Sequence, residues 1–307
     1  MATSFRAELR RGAVVTGKWK QGIYRVERLL GEGANGKVYL VQRDRSWYAM
    51  KIGFDAIDLQ SEINVLQTLA KQRKQGQEAY LYDVDDMYAP DGKKYPFYIM
   101  RYVRGLRLAE YLKQQGPEWF PLVGLNLLNK LSKLHEAGWV FGDLKVENVL
   151  VADYGHVELV DYGGVTANGK SIRQFTEIYD RGYWNCGPRS ADPGYDIFSF
   201  AVLCIQLHEP KRLHQLTAEL LPQNRSSADL MEIVGASPAL RPLSGWLRRA
   251  LDGQFRDGSD AALSWRLLLH RKDTHRPSSM PRWLKGLAAG SAVLLATSVY
   301  WLLRNVL

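Results

Sequence analysis

The segment "WVFGDLKVENVLVADYGHVELVDYGG", Trp139 to Gly164, constrains this chain more than any other stretch. Asp143 and Asp161 each stand at the end of a short apolar run, Asn148 lies between them, and Gly142 precedes the first aspartate. Within it, "NVLVADYGHVELV" reads as a hairpin turning at Tyr154-Gly155, because apolar residues flank a turn-forming pair on both sides.

The elements around this segment define a class. Strand-like alternation begins at Ile23 and continues through "IYRVERLLGEG", "KVYLVQRD" and "WYAMKIGF", with a turn at Arg43-Asp44-Arg45-Ser46. Asp58 to Lys71 reads as a helix that places Ile63, Leu66, Leu69 and Ala70 on one face. "PFYIMRYV" is a further strand, and helical patterns dominate from Leu106 onward. A small strand-rich half followed by a larger helical half predicts an α+β fold with a cleft between the halves. Residues 1–22 are basic and show no clear period.

"GEGANGKV" places glycines at Gly31, Gly33 and Gly36, where the backbone can approach a phosphate and offer it amide donors. A Walker A loop needs Ser or Thr after its lysine, but Val38 follows Lys37. A Rossmann turn needs a helix after its glycines, and here a strand continues. Lys51 in "YAMK" and Glu62 in "SEINVL" are spaced to form an ion pair between a strand and the following helix. Such a pair would orient phosphates.

The net charge of +9 points to an anionic partner, although a solvated basic surface accounts for it equally well. Cys186 and Cys204 have no metal-ligand spacing and are too few for a disulfide framework, which fits a reducing compartment. The N-terminal residues lack an apolar signal-peptide core. Gly286 to Leu303, "GLAAGSAVLLATSVYWLL", carries no charge. As a helix it would extend roughly 27 Å, close to the hydrocarbon thickness of a bilayer. Trp283, Tyr300 and Trp301 stand at its ends, and Arg266, Arg271, Lys272, Arg276, Arg282 and Lys285 precede it. A buried amphipathic helix would need a polar face, for which Ser291, Thr297 and Ser298 do not suffice. The expectation is one C-terminal transmembrane helix over 283–305, behind a basic linker over 273–282, with the bulk of the chain in the cytoplasm and the chain at the cell membrane. Gly286 and Gly290 have the small-residue spacing of paired membrane helices, which suggests a homodimer.

With these motifs in order, the chain resembles Hanks-type (eukaryotic-like) Ser/Thr protein kinases. The likeness runs from about Ile23 to His270 and rests on "GEGANGKV", "AMK", Glu62, "GDLKVEN", "DYG" and "DIFSF". The tail looks like that of the small membrane-tethered kinases of endospore-forming bacteria. The resemblance implies a bilobal domain over 23–272, with a β-rich lobe over about 23–102 and a helical lobe over about 103–272. It implies phosphoryl transfer from ATP, with Mg or Mn, to Ser and Thr of protein substrates. Gly31, Gly33, Gly36 and Val38 would cover the nucleotide, and Ala49 would lie beside adenine. Arg101 and Val103 would belong to the hinge after Met100. Lys51, held by Glu62, would orient phosphates. Asp143 would accept the substrate hydroxyl's proton, Lys145 would steady the γ-phosphate, and Asn148 and Asp161 would hold the metal. Asp196 would anchor the catalytic loop, and Phe141 and Tyr162 would fill an apolar stack.

The sequence departs from that pattern in places. The family has H-R-D where this chain has Phe141-Gly142-Asp143. A glycine there is also found in enzymes resembling aminoglycoside and choline kinases, so a small-molecule kinase is one alternative and a pseudokinase scaffold another. Lys145 and Asp161-Tyr162-Gly163 favour the protein kinase. The absent arginine normally pairs with a loop phosphate, so a phosphate on Thr166, Ser171 or Thr176 would have to use Arg173 or Arg181, or order nothing. The family's A-P-E reads Gly187-Pro188-Arg189, which would set Arg189 against Arg256. Basic clusters at Arg6-Arg10-Arg11, Lys18-Lys20, Lys71-Arg73-Lys74 and before the tail suggest DNA or acidic lipid as an activator.

Overall fold

Side-chain alternation builds the first half of the molecule. Six strands, β1 (Val14–Thr16), β2 (Ile23–Gly33), β3 (Gly36–Arg43), β4 (Ser46–Gly53), β5 (Leu81–Tyr88) and β6 (Lys94–Arg101), form one sheet in the order β1-β2-β3-β4-β6-β5. All neighbours are antiparallel. Val26, Tyr39, Val41, Met50, Ile52, Phe97 and Ile99 pack together on one face. The period of two therefore sends Ala49, Lys51, Tyr98 and Met100 to the other. Helix α1 (Ala56–Lys71) buries Leu59, Glu62, Ile63, Val65 and Leu66. The computed structural model describes residues 8–33, 36–71, 80–88, 92–274 and 282–306. Arg6, Arg73, Lys74 and Arg276 of the basic clusters lie outside them, as does most of the 273–282 linker.

Two strands exceed the sequence expectation. β1 joins the sheet through Val15, so the basic extension contributes to the core. β5 reads "LYDVDDMY", whose acids disguise it. Those acids hold the turn before β2: Asp85 accepts the amides of Trp19 at 2.9 Å and Lys20 at 2.8 Å, and Asp83 accepts the Tyr24 hydroxyl at 2.7 Å.

The second half is helical. After β7 (Leu106–Arg107) come α2 (Leu108–Gln115), α3 (Phe120–Glu136), β8 (Trp139–Val140), β9 (Val149–Val151), β10 (Val157–Leu159) and β11 (Thr166–Ala167). β9 and β10 form the expected hairpin, with Tyr154 in the left-handed region at φ 57°, and β7 extends it; β8 pairs with β11. Then follow α4 (Pro193–His208), α5 (Pro210–Glu219), α6 (Ser227–Ala236), α7 (Ser244–Leu251) and α8 (Gly258–Thr274). α4 is buried continuously from Tyr195 to Ile205, the pattern of a helix surrounded by protein. Phe120, Phe200, Trp246 and Trp265 lock it by edge-on stacking, with Trp246 and Trp265 centroids 4.9 Å apart.

Residues from Leu267 onward form a unit apart from those before it. Its last helix, α9, covers Arg282–Val306. Among the described residues no helix is long and apolar enough to cross a membrane, so the span expected over 283–305 gains no support from that measure.

One carboxylate ties the strand-rich half to the helical half. Glu158 on β10, almost buried, accepts Arg101 Nη2 from the end of β6 at 2.6 Å and Lys130 Nζ from α3 at 2.5 Å. Burial alone would raise its pKa, but Lys130 and Arg101 outweigh burial and hold the carboxyl below the usual glutamate range. A lowered folded-state pKa stabilises the fold above the unfolded value, and that contribution fades as pH falls through the folded one. Glu158→Ala is expected to cost about 2 kcal/mol at neutral pH, less than the full cost of breaking a buried pair because both cations are part-exposed. Denaturant titrations of the two proteins should converge as pH drops below 4.5; a gap that stays constant would show that the charge contributes nothing.

Candidate active site

Between the halves lies a cavity of about 720 Å³. Gly31, Gly33, Gly36, Val38, Ala49 and Lys51 line it from the sheet, and Arg101, Val103, Lys145, Asn148 and Asp161 from the other side. The glycine loop is a true β2–β3 hairpin, with Gly33 paired to Gly36; Ala34 and Asn35 at its tip lie outside the described residues. Gly36 is required by close approach, since a Cβ there would lie 2.3 Å from the Ile52 carbonyl oxygen.

Lys51 is buried and doubly paired, 2.7 Å from Glu62 Oε2 and 2.9 Å from Asp161 Oδ1. Burial would lower its pKa, but the two carboxylates outweigh burial and raise it. Glu62 moves up, because its own burial exceeds the pull of Lys51. Asp161 moves down: burial opposes the shift, but Lys51 and the Gly163 amide prevail. Asp161 also sits in the left-handed region at φ 63°, at the entry to a short 3-10 turn over Tyr162–Gly164.

Glu62 has a partner that motif spacing does not reveal. Tyr98, buried on β6, donates its hydroxyl to Glu62 Oε1 at 3.0 Å, so both carboxylate oxygens are engaged. Burial, followed by Glu62, keeps the Tyr98 phenol far above its ordinary pKa and hence a donor. The signal lay in the alternation, which places Tyr98 on the Lys51 face, and in the need of a buried hydroxyl for a partner. Phe141 and Tyr162 do stack, with centroids 5.9 Å apart, and Tyr80 extends the stack 5.1 Å from Tyr162.

The catalytic loop is set from α4. Asp196 accepts the amides of Phe141 at 2.7 Å and Gly142 at 2.9 Å. This fixes the chain at Gly142 with φ 80°, where a Cβ would meet the Gly164 carbonyl oxygen at 2.6 Å. No side chain fits there without strain. Asp143 follows, accepting Lys145 Nζ on Oδ2 at 2.6 Å and the Thr176 hydroxyl on Oδ1 at 2.8 Å. Asn148 donates its amide nitrogen to the Asp143 carbonyl at 2.9 Å, which leaves its amide oxygen as an acceptor.

Among the described residues no group of three or more His, Cys, Asp or Glu could hold a metal. The Asn148–Asp161 pair nevertheless suits magnesium, which binds through one or two protein oxygens and completes its shell with phosphate and water.

The charge conflict expected at Arg189 is not found. Arg189 Nε donates to Asp180 at 2.5 Å, while the exposed Arg256 pairs with Asp257 at 2.9 Å. Arg181 is committed to a two-pronged pair with Asp192, so it offers no place for a loop phosphate.

A two-lobed α+β fold with a glycine hairpin over a cleft, a buried lysine shared by two carboxylates and an aspartate–lysine–asparagine loop defines a protein kinase, and the chain belongs to that family: the model described as "Protein kinase domain" matches residues 24–255. It is a protein-serine/threonine kinase. The chain is 35% identical over 260 residues to the serine/threonine-protein kinase YabT of Bacillus subtilis, covering 84% of this chain and 75% of that one. It is 31% identical over 153 residues to PknE of Mycobacterium bovis (48% and 26% covered). Against cek1 of Schizosaccharomyces pombe it is 29% identical over 147 residues (46% and 11% covered). The small-molecule and scaffold alternatives lose ground together, since the relatives are named protein kinases and Lys51, Asp143, Asn148 and Asp161 are all in place.

Tyr98→Phe removes one hydroxyl and leaves a buried carboxylate oxygen without its donor, a change of about 1–3 kcal/mol. Phosphorylation rates should drop about tenfold, and the melting temperature should fall by a few degrees. Unchanged kinetics would show that Lys51 alone is enough to place Glu62.

Proposed function

We propose that the chain transfers the γ-phosphoryl group of ATP, with magnesium, to Ser and Thr hydroxyls of proteins, and that it does so tethered to a membrane. The observation that carries the catalytic part is Lys51 held by Glu62 and Asp161 at once, which joins both lobes around the cavity. Phosphoryl transfer depends on positioning and electrostatics. Asp143 is placed to take the proton of an incoming hydroxyl, and Lys145 beside it offsets developing negative charge. Asn148 and Asp161 would hold the metal, which would supply positive charge against the phosphates when bound. Lys51 orients the phosphates, the glycine hairpin covers them, and the backbone near Arg101 and Val103 borders the base.

Asp143→Asn should lower turnover by about 10²–10⁴ while ATP binding persists, because the amide keeps the shape and loses the base. Lys51→Met should weaken nucleotide orientation, and Asp161→Ala should abolish both turnover and its magnesium dependence. A labelled-ATP assay with a generic basic protein, run beside nucleotide-binding titrations, separates these roles. Near-normal turnover in Asp143→Asn would remove that residue from the mechanism.

The tether is supported by the uncharged run from Gly286 to Leu303 and by α9 itself. Leu287, Val293, Leu294, Leu295, Tyr300, Trp301 and Leu302 are all more than half exposed on it, and so much bare apolar surface calls for lipid or a partner. The basic flank supports a cytoplasmic position for the kinase domain in this reading. The net charge of +9 supports a further regulatory reading, in which duplex DNA or acidic lipid activates the domain through its basic clusters. The chain is expected to sediment with membranes and to be released by deletion after Met280. Autophosphorylation of the released domain should rise with either polyanion and lose that response as salt increases. Recovery of the full chain without detergent would sink the tether, and indifference to both polyanions would sink the regulation.

A further inference from the structure

With no side chain possible at Gly142, the activation segment between Asp161 and Arg189 has to be held by other means. β11 pairs with β8, Thr166 opposite Val140 and Ala167 opposite Trp139. Farther along, Gly169 N donates to Ala191 O at 2.8 Å, Ala191 N to Lys170 O at 2.7 Å, and Ile172 N to Arg189 O at 3.0 Å. Ile172 is buried with Val140, Ala191 and Tyr195, and its Cδ1 lies 3.5 Å from where a Cβ on Gly142 would stand. An apolar side chain of the segment itself thus borders the place where a phosphate-binding side chain would begin. Two segment hydroxyls are already engaged: Thr166 donates to Gly164 O at 3.0 Å, and Thr176 to Asp143 at 2.8 Å.

Directly after this anchored stretch, Arg173 donates from Nη1 to Ser61 Oγ at 2.6 Å. Ser61 immediately precedes Glu62 on α1. A guanidinium on the segment and a hydroxyl on the helix reverse the polarity of a phosphate latch, in which the segment carries the anion.

We propose that Arg173 and Ser61 are positioning residues that tie the activation segment to α1 and so keep Glu62 on Lys51 without a phosphate on the segment. They touch no substrate and act through Glu62. The contact is a single charge-assisted hydrogen bond at the surface, modest on its own. It is effective because one end is fixed by Ile172 and the other by the buried face of α1. The inference rests on the kinase reading above.

The test uses the full chain, with and without prior phosphatase treatment, and measures kcat and KM for ATP on a generic basic protein. Arg173→Ala and Ser61→Ala should each lower kcat about two- to tenfold at an unchanged melting temperature. The double variant should be no slower than the slower single one, as expected for residues acting through one contact. Arg173→Lys, which keeps a donor, should recover most of the rate, and phosphatase should leave the wild type unaffected. Rates equal to wild type in both alanine variants, additive losses in the double variant, or loss of wild-type activity on phosphatase treatment would each overturn the proposal while leaving the kinase reading intact. A wild type that transfers no phosphoryl group overturns both.

Discussion

A buried ammonium must be neutralised where it stands, and that requirement at Lys51 organises the molecule. Removing such a charge from water costs several kcal/mol unless counter-charges meet it. The counter-charges come from two separate elements, Glu62 on α1 and Asp161 at the foot of the helical lobe. Sheet, helix and lower lobe therefore reach one arrangement together or fail to reach it. Glu62 is the more deeply buried of the two acids and is fastened a second time by Tyr98; Asp161 remains half-exposed to the cavity. That asymmetry divides the labour. The buried acid positions the lysine, while the open one faces the cavity.

The catalytic loop is governed by backbone amides in a comparable way. Asp196, fully buried, spends its carboxylate on the N–H groups of Phe141 and Gly142 and meets His135 Nε2 at 2.9 Å. The loop is thereby fixed from α4, with no contribution from a side chain at position 142. The same substitution of partners runs through the end of the activation segment, where Arg189 and Arg181 find Asp180 and Asp192 within the segment and at the start of α4. Asp180 is further held by the Tyr195 hydroxyl at 3.0 Å. Charges that motif comparison would set in conflict are neutralised locally.

Whatever depends on period or motif order was legible in the sequence: the cleft-facing alternation of Ala49 and Lys51, the β9–β10 hairpin, the pairing of Lys51 with Glu62, the anchoring by Asp196. Contacts decided by distant partners were not. β5 carries no clean alternation, because its acids serve residues more than 60 positions away. Arg173 and Ser61 are separated by 112 positions, and no spacing rule connects them. The family pattern sets Arg189 against Arg256, while its actual partner, Asp180, lies only 9 residues upstream. Gly142 could be seen as unusual, but its reason, a left-handed backbone beside the Gly164 carbonyl, exists only in three dimensions.

The directions of the pKa shifts define the range over which this assembly keeps its charges. Lys51 is raised from 10.5, so its contribution to stability is complete below that value and is lost only as pH climbs through the folded-state pKa. Asp161 is lowered from 3.8, so its contribution is present above that value and fades only as pH falls through the folded-state one. Tyr98 is pushed far above 10.0 and remains a donor throughout. Glu62 alone moves against the group: raised from 4.5, it takes up a proton at a higher pH than an exposed glutamate would. Its burial costs stability once it is charged, and the Lys51 and Tyr98 bonds offset that cost only in part. As pH falls, protonation of Glu62 weakens its hold on Lys51 while Asp161 remains charged, so the lysine keeps its link to the lower lobe after its link to α1 has loosened. Of the two links the one to α1 is the first to loosen in acid, and α1 is the element that the Tyr98 hydroxyl grips from within the sheet and that Arg173 reaches from the activation segment.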